Sequence, residues 1–441
     1  MSKLRKITAV AAPAVMALAI AAPSEAKILL MGNGGWEVSF DGSVNSFYNF
    51  VTKEEMQSAG GYATHAGAGA GNDSSRVTVG LLPAVWGMNV KAPTTGGIDM
   101  GARVMMGIST QNNRRKNTGN AASGGQNGAN LDLREIHFTA SGASGSVLVG
   151  RTLGIYQGTN IVKDMTLFGV GWNAGEAAGG GTTLGRIGAG YVYPNFNTGI
   201  RYSTPAGSAV GFQVGIFDPS TLGGGGGVSE TPYPRLELEF SGGGSVQGVS
   251  MSAWANGMFQ YAQRSTADIQ TACGDSANGE RLGIAAVPNS ESGCSVAEDV
   301  FVGGGAYGVE VGVGGLKLTG AGYHGRGLGM AVMLDADAID EKGHPRNHYG
   351  YYAQGTFALG NGTNVGVSWG ESRADESGTD FVQRASVQVR QERVTLTDVM
   401  VWHNINDNLR FVAEYGHQEV GWHDGATQEA EIVSLGGFFF W

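Results

Sequence analysis

From Trp36 to Phe50 the chain alternates. Trp36, Val38, Phe40, Val44, Tyr48 and Phe50 fall on one face, and Glu37, Ser39, Asp41, Ser43, Asn45 and Asn49 fall on the other. A period of two marks a strand whose successive side chains point to opposite sides. Strands of soluble sheets average about 5–6 residues. A stretch this long suits a tall wall crossed at a tilt.

The same alternation recurs and predicts strands near 36–50, 76–90, 98–110, 131–141, 145–152, 196–204, 209–217, 234–242, 246–260, 300–313, 316–324, 348–359, 363–373, 391–403, 408–420 and 429–441. Every second connection is tight and rich in turn residues: PTTGG (93–97), SGASG (141–145), TPAGS (204–208), SGGGS (241–245), GG (314–315), LGNGT (359–363) and NINDN (404–408). The connections between them are long and polar. Sixteen strands joined in this rhythm predict an all-β fold, a transmembrane antiparallel β-barrel. Neither a second domain nor a linker is visible.

Register follows from the apolar partner on each strand. With Ile98, Met100, Val104, Met106 and Ile108 outward, Asp99, Arg103 and Ser109 turn inward. Ile200 and Tyr202 outward place Arg201 inside; Leu236, Leu238 and Phe240 outward place Arg235, Glu237 and Glu239 inside; Leu409, Phe411 and Tyr415 outward place Arg410 and Glu414 inside. Strand 76–90 is apolar on both faces and interrupted by Pro83, which predicts a bulge or a subunit contact. The last strand, EAEIVSLGGFFFW (429–441), puts Val433, Leu435, Gly437, Phe439 and Trp441 on one face and ends on an aromatic, as a lipid-facing girdle would.

Composition narrows the picture. Lys3, Arg5 and Lys6 precede an Ala-rich apolar stretch, Ile7–Pro23, and Ser24-Glu25-Ala26 offers small residues for cleavage. Residues 1–26 are therefore expected to be a signal peptide and 27–441 the barrel. The remainder has no apolar run long enough for a spanning helix, so a lipid-embedded chain must close into a barrel to satisfy its backbone. Glycine supplies 76 of 441 residues without a G-X-Y period, which excludes collagen. Removing the signal leaves 25 basic against 37 acidic residues, a net −12, and argues against nucleic-acid binding. Cys273 and Cys294 lie in one Gly/Ser/Asp-rich segment of an exported chain, and a disulfide closing an external loop is expected.

The longest connection, from Thr152 to Asn195, carries Ile155, Tyr156, Ile161, Met165, Leu167, Phe168 and Trp172. A loop this apolar is expected to fold into the barrel and narrow it as a constriction loop. Asp164 and Glu176 would then oppose Arg103, Arg201, Arg235 and Arg410, with Arg151 at the loop's root. Opposed charges set up a transverse field that orders polar solutes. The alternative is an external apolar loop used in oligomer contacts.

REIHFTASGASGSVLVGRTLGIY (Arg134–Tyr156) resembles the hairpin before the constriction loop of Gram-negative general porins. FNTGIRYSTPAGSAVGFQVGIF (Phe196–Phe217) is similar to their next hairpin, and the strand ending at Trp441 to their last. Arg151 falls at the family's Gly-Arg and Asp164 in its pore-narrowing segment; the acidic, Pro/Gly tip usual there is replaced by GEAAGGGT. The resemblance implies a homotrimer of sixteen-stranded, water-filled barrels in the outer membrane. It implies passive diffusion of small hydrophilic solutes and ions, contact with lipid and lipopolysaccharide, and no cofactor. Phe439 and Trp441 would be the signal read by the barrel-assembly machinery.

Other chemistry is thin. DADAIDE (335–341) clusters carboxylates but lacks the full calcium-loop ligand pattern, so a solvated acidic loop is the plainer reading. NNRRK (112–116) suits lipopolysaccharide phosphates, a neighbouring subunit or plain solvent. No HExxH or GxSxG occurs. Three other readings stay open: a substrate-selective channel, an outer-membrane hydrolase using His417 near Glu414 and Asp424, and a structural or adhesive surface protein that would conduct nothing.

Overall fold

The computed structural model describes residues 28–57, 62, 64–111, 130–172, 182–222, 228, 230–264, 297–385 and 387–441. Among these, eighteen strand segments form one sheet that closes on itself. The seam lies at β2 (Trp36–Lys53). One edge of β2 pairs with β3 (Asp73–Thr78) and β4 (Ala84–Lys91); the other pairs with β18 (Thr427–Phe440) and β1 (Ile28–Asn33). β3 and β4 are two halves of one stave, and β18 and β1 share another, so eighteen segments make sixteen staves.

The remaining staves pair in chain order, all antiparallel. They are β5 (Asp99–Ser109), β6 (Asn130–Gly142), β7 (Gly145–Leu153), β8 (Phe196–Ser203), β9 (Gly211–Phe217), β10 (Arg235–Val246), β11 (Val249–Gln263), β12 (Asp299–Val313), β13 (Leu316–Arg326), β14 (Asn347–Ala358), β15 (Thr363–Ala374), β16 (Gln391–Asn404) and β17 (Leu409–Trp422). Each expected strand has its counterpart, and β1 is additional. It folds back on the start of β2 through Gly34 and Gly35, both at positive φ, a conformation that glycine adopts without a Cβ clash.

Alternation sorts the two faces. Val44, Tyr48, Trp86, Phe138, Ile200, Phe240, Phe301, Val367, Phe411 and Leu435 are exposed on the outside. A continuous apolar belt of this extent is unsuited to water and suited to hydrocarbon. At the end with the long loops, outward tyrosines keep their hydroxyls bonded: Tyr261 donates to Asp299 at 2.6 Å and Tyr415 to Glu431 at 3.3 Å. Such rings have an apolar body and a polar tip, the character of an interfacial girdle. No described helix is long and apolar enough to cross a membrane.

One turn sits elsewhere than expected. SGGGS (241–245) belongs to β10, and the reversal falls at Gln247 and Gly248, whose φ values of 52° and 85° give a two-residue hairpin turn. Glycine richness here marks a wall without side chains. The signal segment, NNRRK, Glu176 and the Cys273–Cys294 pair lie outside the described residues.

Candidate pore constriction

The long connection leaves β7 at Gly154 and folds into the barrel. It forms a short helix, α1 (Gly158–Lys163), then a 3-10 turn, Met165–Phe168, and returns to the wall at Phe196. Ile155, Tyr156, Ile161, Met165 and Leu167 are buried between loop and wall. Irregular backbone at this depth needs acceptors for its N–H groups, and wall side chains provide them. Glu237 on β10 accepts from Ile155 N at 2.7 Å and Tyr156 N at 3.0 Å, and Asn256 on β11 accepts from Gln157 N at 3.1 Å. Gln354 on β14 accepts from Met165 N at 2.9 Å and donates to the Lys163 carbonyl at 2.7 Å. Glu414 on β17 takes the N–H groups of Val170 and Gly171.

The loop finishes against a gap in the wall. β3 ends at Thr78 and β4 begins at Ala84, and Leu81 N donates to the Gly169 carbonyl at 2.9 Å while Thr183 N donates to the Gly80 carbonyl at 3.2 Å. Asn45 braces the gap, accepting from Gly80 N at 3.0 Å and donating to the Leu82 carbonyl at 3.1 Å. A Cβ on Gly80 would sit 2.2 Å from the Gly169 carbonyl oxygen. The doubly apolar stretch around Pro83 bulges out of the ladder, as expected, with four steps on β2 facing seven between Thr78 and Val85, and this break is the loop's docking point.

The charge pattern differs from a ring of loop acids facing wall arginines. Asp164 is turned into the loop: its carboxylate accepts from Thr166 N at 3.0 Å and from the Tyr191 hydroxyl at 2.8 Å, and lies 3.9 Å from Arg186 Nε. Neither side chain of the Asp164–Arg186 pair is exposed. Burial, followed by the Asp164 charge, raises the Tyr191 hydroxyl well above its ordinary pKa. The described part of the loop instead offers the wall a cation, Lys163, which pairs with Glu310 on β12 at 2.8 Å. Wall carboxylates grip the described part of the loop, where a carboxylate of the loop was expected to face wall arginines.

The arginines separate into different settings. Arg103 is clamped by Asp41 at 2.9 Å, Asn89 at 2.8 Å and Glu135 at 2.8 Å. Arg235 is fully buried, paired with Glu237 at 2.8 Å and stacked on Phe217. Arg410 donates to Asn404 at 2.7 Å and lies over the rings of Phe168 and Phe440. Arg201 faces an inner chamber. Arg151 needs correction: it pairs with Ile136 and Thr198, so the register gives it the outer face of Ile136, and its Nε donates to the Leu133 carbonyl at 3.1 Å. Its neighbour Thr152 is the residue that reaches the lumenal Glu135, at 3.3 Å.

Alternation had already turned Glu237, Glu239 and Glu414 inward, but it says nothing about which loop atoms they hold. Lys163, Arg186 and Glu310 had no signal, because their roles depend on the path of the loop. A chamber of about 310 Å³ lies beneath α1 at the end with the tight turns, lined by Lys163, Arg201, Glu239, Glu310, Trp254 and the glycines of β10.

Other candidate sites resolve simply. In 335–341, Asp335 accepts from Ala331 N at 3.1 Å, Val332 N at 3.0 Å and Asp337 N at 3.0 Å, and Asp340 accepts from His344 N at 2.8 Å. These acids brace their own loop, and no group of metal-ligating side chains occurs among the described residues. His417 pairs across the sheet with Glu431, on the face of Tyr415, and its near carboxylate is Glu429 at 3.8 Å, away from Glu414.

No protein-family model and no curated relative matches the sequence. Solved structures do. The outer membrane channel DcaP of Acinetobacter baumannii is 14% identical, with a TM-score of 0.63 over 93% of this chain and 99% of its own. An anion-selective porin from Comamonas acidovorans is 13% identical, with a TM-score of 0.54 over 92% of this chain and all of its own. OprB of Pseudomonas putida is 12% identical, with a TM-score of 0.52 over 91% and 94%. Closed antiparallel staves, an apolar outer belt and a loop folded into the lumen agree with these likenesses, and the chain has the fold of the Gram-negative outer-membrane porins.

Proposed function

We propose that the protein is an outer-membrane porin, a water-filled channel for passive diffusion of small hydrophilic solutes and ions. The observation carrying this is the inner surface. A closed barrel with an apolar exterior holds charged and amide side chains on its lumenal face, including Asp41, Arg103, Glu135, Arg201, Glu239 and Glu310. A purely adhesive or anchoring barrel has no need of such a lining. The inward loop supports a constriction, and the paired charges there would tune which ions pass.

The same reading includes a homotrimer, lipopolysaccharide around the outer face, export by a cleaved signal at residues 1–26, and insertion by the barrel-assembly machinery through Phe439 and Trp441. Phe439 is exposed on the outer face, beside the Trp441 ring at 6.0 Å, where an assembly factor would read it. No reaction is proposed. Planar-bilayer recording of purified protein tests the channel: stepwise ohmic conductance is the expected result, and well-folded, inserted barrels that pass no current would refute it.

A further inference from the structure

Arg201 stands apart from the other lumenal arginines. It lies on β8, 5% exposed, and contributes to the chamber beneath α1. Its Nε has no hydrogen-bond partner among the described residues. The carboxylates whose charges it feels, Glu135, Glu237 and Glu239, are each engaged elsewhere. Glu135 holds Arg103 at 2.8 Å and Thr152 at 3.3 Å; Glu237 holds Arg235 and two loop N–H groups; Glu239 holds Thr159 at 2.6 Å and Asn256 at 3.1 Å. The other chamber cation, Lys163, is closed against Glu310 at 2.8 Å. A guanidinium presents five donors in a rigid fork suited to a carboxylate.

The chamber wall gives the rest of the occupant. Leu153, Val162 and Trp254 form an apolar side, while Gly243, in the inward register of Glu239, leaves room on β10. About 310 Å³ is at the lower end of the range for ligand sites, about 300–1,000 Å³. It suits one small solute. Arg201 can pair one negative charge, whereas a second would meet the carboxylates of Glu239 and Glu310 with no further cation to balance it, since Lys163 is already held by Glu310.

We propose that this chamber is a binding subsite for small monocarboxylates with a short apolar chain, the carboxylate seated on the Arg201 fork and the chain against Leu153, Val162 and Trp254. The inference deepens the porin reading and rests on it for the route of access. Solute would enter from the end with the tight turns, where Ser208, Ser245 and Ser250 line the chamber.

Butyrate is the probe, with butyramide and succinate as comparisons. In planar bilayers at low salt, butyrate added on the tight-turn side should interrupt the current at least tenfold more often than either comparison. Arg201→Gln should abolish the interruptions, and Arg201→Lys, which keeps the charge but loses the fork, should shorten them several-fold. Saturation-transfer NMR of butyrate with detergent-solubilised barrels gives a readout independent of conduction and should lose its signal in Arg201→Gln barrels that remain heat-modifiable. Interruptions that persist in Arg201→Gln, or a conducting wild-type barrel indifferent to butyrate, would overturn the subsite. Barrels that transfer saturation to butyrate yet pass no current would refute the channel and leave the subsite standing.

Discussion

Asp164 and Arg186 face each other at 3.9 Å inside the folded loop, with neither side chain reaching solvent. Arg186 also donates to the Leu396 carbonyl at 2.9 Å and to the Ser368 hydroxyl, so it ties the loop's returning limb to β15 and β16. Asp164 closes the end of α1 and opens the 3-10 turn that follows. A charge so placed governs where the loop lies. Its field in the lumen is largely cancelled by its partner.

Removing the acid should therefore loosen the loop before it changes selectivity. Stripping one partner from a buried pair costs about 3–5 kcal/mol, because the other charge stays buried and unpaired. Asp164→Ala should speed hydrogen exchange of amides in 155–172 and 182–195 while the barrel remains resistant to heat. Protected loop amides together with a large change in reversal potential would show instead that the carboxylate acts on the lumen directly.

The staves were legible in the sequence because alternation, turn residues and an apolar outer face all report the same local geometry. β1 carries no such signal, because Ile28 to Met31 form an unbroken apolar run with no alternation. SGGGS read as a turn because glycine marks both reversals and bare wall, and only the φ values at Gln247 and Gly248 separate them. The constriction was less legible. Patterning showed that the loop was too apolar for water, but the facing of Asp164 depends on Arg186, Tyr191 and Thr166, which the chain brings back by a path no local period encodes. The facing of Arg151 is hidden for a related reason. The likeness at its Gly-Arg pointed to the lumen, whereas the pairing of Ile136 with Arg151 carries it to the outer face.

Lys163 offers a direct test of how the loop tunes permeation. Its ammonium neutralises Glu310 at 2.8 Å, and both side chains remain partly exposed to the lumen. Lys163→Met should free the carboxylate and shift the reversal potential toward cations. The shift should be largest in dilute salt and fade as screening shortens to about 3 Å near 1 M. Glu310→Gln should move it the other way. Identical reversal potentials at low salt in all three proteins would place this pair outside the ion path.

The long-loop end carries a pH dependence of defined sign. A short helix, α2 (Gly378–Gln383), is held by Asp380, whose carboxylate takes two bonds from Arg346, at 2.7 Å and 2.6 Å. Burial works against ionisation, but the Arg346 fork outweighs it and holds Asp380 below its ordinary pKa. A lowered folded pKa means that the contribution is present above the unfolded value, about 3.9, and is lost as pH falls through the folded one. Protection factors of amides in α2 and the 335–346 loop should be high at pH 5 and fall only once the pH has dropped below the ordinary carboxylate value. Asp380→Asn should show low protection factors already at pH 5; a variant that keeps the wild-type acid transition would assign it to another group.

The last prediction concerns the seam. Gly42 and Trp441 exchange two backbone hydrogen bonds of 3.0 Å, which fasten the end of β18 to β2 where β1 takes over. A Cβ on Gly42 would lie 2.4 Å from the Trp441 ring and equally close, 2.4 Å, to the Val85 carbonyl oxygen. A ring can swing away, but a carbonyl committed to the sheet cannot, so the clash has one soft side and one hard side. Overpacking of this kind costs about 1–3 kcal/mol or forces the backbone apart. Gly42→Ala should reduce the heat-modifiable folded band, and adding Trp441→Ala should restore only part of it, because Val85 still blocks the new methyl. Deleting Trp441 alone removes both hydrogen bonds and should slow folding into lipid vesicles without introducing any clash. Full recovery in the double variant would show that the ring, rather than the strand behind it, sets the requirement for glycine.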